Sequence, residues 1–253
     1  MYSDTMFASS RIGKSLRGFT CAQVFTTNFD WCSVLLMEFE TEIPKAFKSL
    51  FKDVGVPERM VMDGARAQVS AETLKICQLS GCTIVELEKN TPSANRAELT
   101  IGKVKCSTRH DMKETKSPII LWCFCLSQQA RIHSSCARDI FKLEGATPQS
   151  FLSGDITDIS NTCAFGWYKW VKFRREGVSS GYPYPTEHLG QCLGPAENKG
   201  NALSQHVLMI DGSVLPIQTL RSLKPSEVEN EIDARRHFDE KIRIHYGDHL
   251  VIG

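Results

Sequence analysis

Hairpin strands followed by alternating helices and strands constrain this fold more than any other feature of the chain. Phe19 to Thr27 and Trp31 to Phe39 are β-type runs, separated by the hairpin-like break Asn28-Phe29-Asp30. Thr41 then precedes an amphipathic run with apolar Ile43, Ala46, Phe47, Leu50, Phe51 and Val54. That spacing predicts a helix, and Gly55 with Pro57 ends it. Met60-Val61-Met62 reads as a short buried strand ending at Asp63, Ala71 to Leu79 as a helix stopped by Gly81, and Cys82 to Leu87 as another strand. A long helix is expected from about Ala94 to Lys113, after Thr91-Pro92. Ser117-Pro118 opens a further helix to about Arg138, with Leu121, Trp122, Phe124 and Cys125 on its apolar stripe. With a first strand around Asp4, the order is β, β-β, α, β, α, β, α, α. It predicts an α/β fold, a mixed sheet covered by helices on both faces.

The character changes after Gly145. Ala146-Thr147-Pro148 and Ser153-Gly154-Asp155 are connector-like. Strands are expected at Ala164 to Arg174, His188 to Gly194 and Gln205 to Ile210, the last turning through Asp211-Gly212 into Val214 to Leu220. The expected division is a core over 1–145, a connector over 146–163, a small β-barrel-like module over 164–224 and a charged tail, helical or disordered, over 225–253.

At 253 residues, with 42% hydrophobic and 23% charged residues, the chain has room for one large or two small soluble domains. Its longest apolar run, Ile119 to Leu126, is too short to span a bilayer, so no membrane partner is expected. No basic-then-apolar leader opens the sequence. The ten cysteines make no Cys-x-x-Cys pair and most sit in apolar segments, which reads as reduced core thiols of an intracellular protein. Net charge is +1, so any footprint for a polyanion must be local.

Three acids stand out by their settings. Asp4 lies in Tyr2-Ser3-Asp4-Thr5, Asp63 closes the apolar run Arg59 to Met62, and Glu98 opens a basic helix 35 positions later. Each alone has an ordinary explanation. An aspartate after a strand is a turn or cap residue, and a glutamate in the first helical turn suits the helix dipole. As a set at strand ends and a helix start, they have the composition of a site that holds divalent cations.

The surrounding residues resemble the integrase of copia-type retrotransposons. Tyr2-Ser3-Asp4-Thr5 resembles its first catalytic strand, Val54-Gly55-Val56-Pro57 with Val61-Met62-Asp63-Gly64 its approach to the second acid, and Thr91-Pro92-x-x-Asn95-x-x-Glu98 the motif of the third. Leu121-Trp122, Thr147-Pro148, Phe165-Gly166, Leu189 to Gly194, Val207-Leu208 and Leu220-Arg221-Ser222-Leu223 follow in the family's order. The resemblance implies a ribonuclease-H-like mixed five-stranded sheet with flanking helices, followed by the β module. It implies that Asp4, Asp63 and Glu98 are catalytic and bind two Mg²⁺ or Mn²⁺ ions. The reactions implied are 3′-end processing and strand transfer of element DNA into target DNA, with nuclear action and a possible homo-oligomer. Two alternatives remain: an inactive remnant that binds nucleic acid, and a ribonuclease-H-like nuclease.

Asn95, Arg96, Lys103, Lys105 and Arg109 on the basic helix are the expected DNA contacts, with Lys105 two turns after Glu98 on the same face. Phe165 to Arg175 is aromatic and basic together, and as a strand it puts Tyr168, Trp170, Lys172 and Arg174 on a face that could stack and neutralise nucleic acid. Three features depart from the family. Only three residues precede Asp4, Ser93-Ala94 precede Asn95, and Gly102 stands where a basic residue would serve. The first strand is therefore expected to be cut short, the chain to be a polyprotein fragment, and activity to be uncertain.

Overall fold

The computed structural model describes residues 1–9, 13–87, 95–137, 139–156, 158–174, 186–196 and 203–246. The Thr91-Pro92 approach to the third acid and the end of the tail lie outside the described residues. Two compact units are present: Met1–Thr108 with Gln129–Thr157, and Arg109–Gln128 with Asp158–Gly253. This grouping differs from the linear partition at 145, because residues 109–128 group with the C-terminal part.

In the first unit β1 (Tyr2–Phe7), β2 (Cys21–Thr26) and β3 (Cys32–Met37) precede α1 (Ile43–Asp53), β4 (Arg59–Asp63), α2 (Ala71–Leu79) and β5 (Thr83–Leu87). They are followed by α3 (Arg96–Thr115), α4 (Trp122–Ser135) and α5 (Pro148–Ser153); α3 and α4 each run across the unit division. The strand order is β3-β2-β1-β4-β5. β1 is antiparallel to β2 and parallel to β4, and β4 is parallel to β5. This is the mixed five-stranded sheet with flanking helices expected of a ribonuclease-H-like core. The first strand is not cut short: β1 runs six residues and pairs with β2 along its whole length.

The two faces of the sheet divide cleanly. Cys21 and Phe25 of β2 join Met60 and Met62 of β4 in one core with Ile43, Phe47 and Leu50 of α1 and Cys77 of α2. Phe25 meets Phe47 edge-on at 5.1 Å between ring centroids. Ala22, Val24 and Thr26 alternate to the opposite face and are also buried. There the Thr100 hydroxyl of α3 donates to the Thr26 hydroxyl across 3.2 Å. Ser134 of α4 closes the outer edge of β3, accepting from the Cys32 N–H at 2.8 Å and donating to the Cys32 carbonyl at 2.7 Å. Seven of the ten cysteines are buried, and burial pushes the Cys32 and Cys77 thiols up to about 12. Among the described residues no helix is long and apolar enough to cross a membrane.

The second unit contains α6 (Ser160–Cys163), β6 (Trp170–Phe173), β7 (His188–Pro195), β8 (Gln205–Leu208), β9 (Val214–Ile217), β10 (Leu220–Ser222), α7 (Pro225–Asn230) and α8 (Ile232–Tyr246). Its sheet is antiparallel in the order β10-β6-β7-β8-β9, with Val171, Phe173, Cys192, Val207 and Ile217 in its core. The Asp211-Gly212 turn forms as expected, with Gly212 at φ 80° and the Ser213 N–H donating to Asp211 Oδ1 at 2.9 Å.

The strand anticipated from Ala164 starts only at Trp170, because Tyr168 takes φ 57° and breaks the extended run. Nor is its outer face open to nucleic acid. Trp170 packs edge-on against Phe238 of α8 at 5.1 Å, and Lys172 pairs with Glu231 and with Glu227 at 3.4 Å. Arg221 holds Glu187 at 2.6 Å and Glu227 at 2.7 Å. The charged tail, as far as it is described, is therefore two helices that cover this sheet. Its regular charge pattern concealed Phe238 and Ile242, both 1% exposed. Phe238→Ala is expected to destabilise the protein by about 3–5 kcal/mol. Urea unfolding followed by tryptophan fluorescence measures this, with Trp170 moving to red-shifted emission.

Candidate active site

The parallel register sets Asp4 and Asp63 level with each other. Tyr2 pairs with Val61 and Ser3 with Met62, so the next step along both strands is Asp4 beside Asp63. Adjacent strands lie about 4.8 Å apart, and side chains at one level of a parallel pair share a face. That face is the one carrying Val24, directly across from Asp4, and Thr26, where α3 docks. Glu98, in the first turn of α3, thus belongs to the helix covering the face on which both aspartates project.

Asp4 is half-buried, and its Oδ1 accepts from the Thr5 N–H at 2.7 Å and from Gln68 Nε2 at 2.9 Å. Burial pushes its carboxyl above the ordinary 3.8, and the negative fields of Asp63 and Glu98 push the same way, against those two hydrogen bonds. Asp63 and Glu98 therefore each act electrostatically on Asp4. Asp63 is exposed, and its Oδ1 accepts from the Ala65 N–H at 2.5 Å in an Asx turn. Glu98 is exposed, and its N–H donates to the Asn95 carbonyl at 3.1 Å. Among the described residues no three His, Cys, Asp or Glu side chains gather closely enough to hold a metal ion. The two level aspartates are a donor pair that suits Mg²⁺, which needs only one or two carboxylates beside substrate oxygens and water.

The expected DNA contacts separate into two flanks of α3. Successive helical residues turn by about 100°. The inward face carries Ala97, Thr100, Ile101, Val104 and Thr108. Lys105 falls within about 20° of Glu98, while Arg109 belongs to the second unit. Arg96 and Lys103 fall on the other flank, where both are bound to the β2–β3 turn. Arg96 donates to the Asn28 carbonyl at 2.8 Å, and Lys103 pairs with Asp30 at 2.6 Å. Asn95 is 4% exposed, and its Oδ1 caps α3 by accepting from the Ala97 N–H at 3.1 Å. Gly102 is exposed with open space around it, on the Glu98 flank. Gln68 is the residue that sequence reasoning missed. It lies in the loop after β4, is 2% exposed and grips Asp4. Its only sequence signal is its place five residues beyond Asp63.

No protein-family model matches the chain, and no curated protein matches it. Among solved structures it is similar to the catalytic core domain of BIV integrase, at 13% identity and TM-score 0.43, covering 60% of this chain and 92% of that one. It is also similar to a chain of a simian T-cell lymphotropic virus intasome, at 12% identity and TM-score 0.44, covering 88% and 78%. The HTLV-2 integrase catalytic core domain in complex with magnesium gives 13% and 0.42, covering 60% and 93%. With TM-scores below 0.5, these likenesses decide neither family nor activity.

A carboxyl with a raised native pKa destabilises the fold once ionised. The native state keeps a proton that the unfolded chain has lost, so stability falls as pH rises from 3.8 through the native value. Asp4→Asn removes that loss. Without divalent metal, the variant is expected to melt above the parent at neutral pH, with the gap closing as pH falls toward 3.8. Thermal melts across this range check it, and a variant less stable at neutral pH would contradict it.

Proposed function

We propose that this chain is an integrase-type polynucleotidyl transferase of the copia kind, joining 3′ ends of element DNA to target DNA with Mg²⁺ or Mn²⁺. The observation that carries this reading is the level placement of Asp4 and Asp63 on parallel strands, with Glu98 acting on Asp4 from the helix over the same face. Asp4, Asp63 and Glu98 would hold the cations, two in the full site, which activate the attacking 3′-hydroxyl and stabilise the leaving oxygen. The residues of the chain do the rest. Thr5 and Gln68 fix the Asp4 carboxylate by one oxygen and leave Oδ2 for ligation. Lys105, on the Glu98 flank, neutralises backbone phosphates without reading sequence. Action in the nucleus, assembly as a multimer and origin in a longer polyprotein belong to the same proposal.

A second reading, an inactive remnant that still binds nucleic acid, is favoured by one observation: the three acids are not gathered into a metal cluster among the described residues. A strand-transfer assay with a labelled DNA end and Mn²⁺ separates the two. The parent is expected to give product, and Glu98→Gln to lower it by about a hundredfold or more. Product that persists in the variant would remove Glu98 from the site. A parent without product or Mn²⁺ binding would establish the remnant.

The two flanks of α3 make a separate expectation for DNA affinity. Lys105→Ala should reduce the slope of log affinity against log salt by about 0.9, the value for one lost phosphate contact. Lys103→Ala, which removes a partner of Asp30 on the opposite flank, should leave the slope unchanged. Fluorescence anisotropy titrations across a salt series measure both.

A further inference from the structure

We propose that Gln68 is a positioning residue of the cation site. Its amide nitrogen holds Asp4, and its carbonyl oxygen accepts from water bound to a divalent cation on Asp4. This rests on the metal-dependent reading above.

The argument begins with the loop after β4. The Ala65 N–H donates to Asp63 Oδ1 at 2.5 Å, and the Ala65 carbonyl accepts from the N–H groups of Gln68 and Val69 at 2.9 and 3.1 Å. Gln68 then reaches back to Asp4 Oδ1 at 2.9 Å. A short chain of hydrogen bonds thus ties one aspartate to the other through backbone.

The second observation is an unpaired atom. Gln68 is 2% exposed, yet its Oε1 is buried with no hydrogen-bond donor among the described residues. Turning the amide over would not help, because Oε1 would then face Asp4 Oδ1, an acceptor against an acceptor. The carboxylate therefore dictates which way the amide points, and Oε1 is left without a donor among the described residues. Stabilising Asp4 explains Nε2 alone. A buried carbonyl without a donor is costly, and buried polar atoms in native proteins nearly always find one. Water polarised by a cation on Asp4 is a strong donor of the kind this oxygen lacks. Partners at one remove from a metal orient its ligands in this way, and their loss typically weakens metal binding about 10- to 100-fold.

The test is Mn²⁺ titration of the whole protein by calorimetry, comparing the parent, Gln68→Met and Asp4→Asn. Gln68→Met keeps the length of the side chain and removes both polar atoms. Its expected result is folding as the parent does, by circular dichroism, with Mn²⁺ affinity about 10- to 100-fold weaker. Equal affinity in Gln68→Met and the parent would overturn the assignment of Gln68 while leaving the metal reading intact. A parent that binds no Mn²⁺ would overturn both. A measurement on the parent alone guards against misfolding of the variant. The Gln68 side-chain amide signal in ¹⁵N-resolved NMR should shift on Mg²⁺ addition with the same midpoint as cation binding. A signal that stays still while Mg²⁺ binds would overturn the proposal.

Discussion

The pairing of β1 with β4 is the constraint on which the rest of the first unit depends. It is brief, Tyr2 with Val61 and Ser3 with Met62, extended by the Val61 N–H donating to the Met1 carbonyl at 2.8 Å. A slip of one residue would turn every side chain of β4 to the other face. Met60 and Met62 would leave the core they share with Phe47 and Leu50, and Asp63 would be buried in it. The hydrophobic pattern of β4 and the placement of its aspartate are therefore one specification. The core enforces the register, and the register aligns the acids.

A polar device on the opposite face stiffens β1. Gln23 is fully buried in the neighbouring strand, donates to Ser3 at 2.5 Å and accepts from Thr5 at 2.7 Å. Every polar atom of that side chain is used, and β1 is stitched to β2 on both sides of Asp4. Such satisfied buried networks specify one arrangement even where they add little net stability. Gln68 is the contrasting case, a glutamine of similar burial with only half its amide engaged. One glutamine is complete among the described residues, and the other keeps its amide oxygen without a donor there.

Much of the first unit was legible in the sequence because its signals are local. Ala71 to Leu79 is helical between the residues expected, with Ser70 capping it, and α1 ends in a left-handed Gly55. The hairpin at Asn28 to Asp30 holds, with Asp30 at φ 65°. What escaped depends on contacts distant in sequence. Nothing in the spacing of the basic helix says that Lys103 finds Asp30, 73 positions away, while Lys105 turns toward the Glu98 side. Gln68 gains its meaning only from Asp4, 64 positions earlier. In the second unit, nothing in the tail's own sequence says that Lys172 pairs with Glu231 and Arg221 with Glu227.

The two units alternate along the chain: residues 1–108, then 109–128, then 129–157, then 158 onward. Synthesis from the N-terminus therefore cannot finish one before starting the other. When Thr108 has emerged, the first unit still lacks α4 residues such as Ser134 that close its β3 edge. Residues 109–128 must meanwhile wait for strands made later, with the buried apolar surface of Leu121, Phe124 and Leu126 uncovered. Domains that fold as they emerge are spared such exposure. Here the first unit is complete only when residue 157 has been made, and residues 109–128 stay uncovered until the strands of the second unit follow.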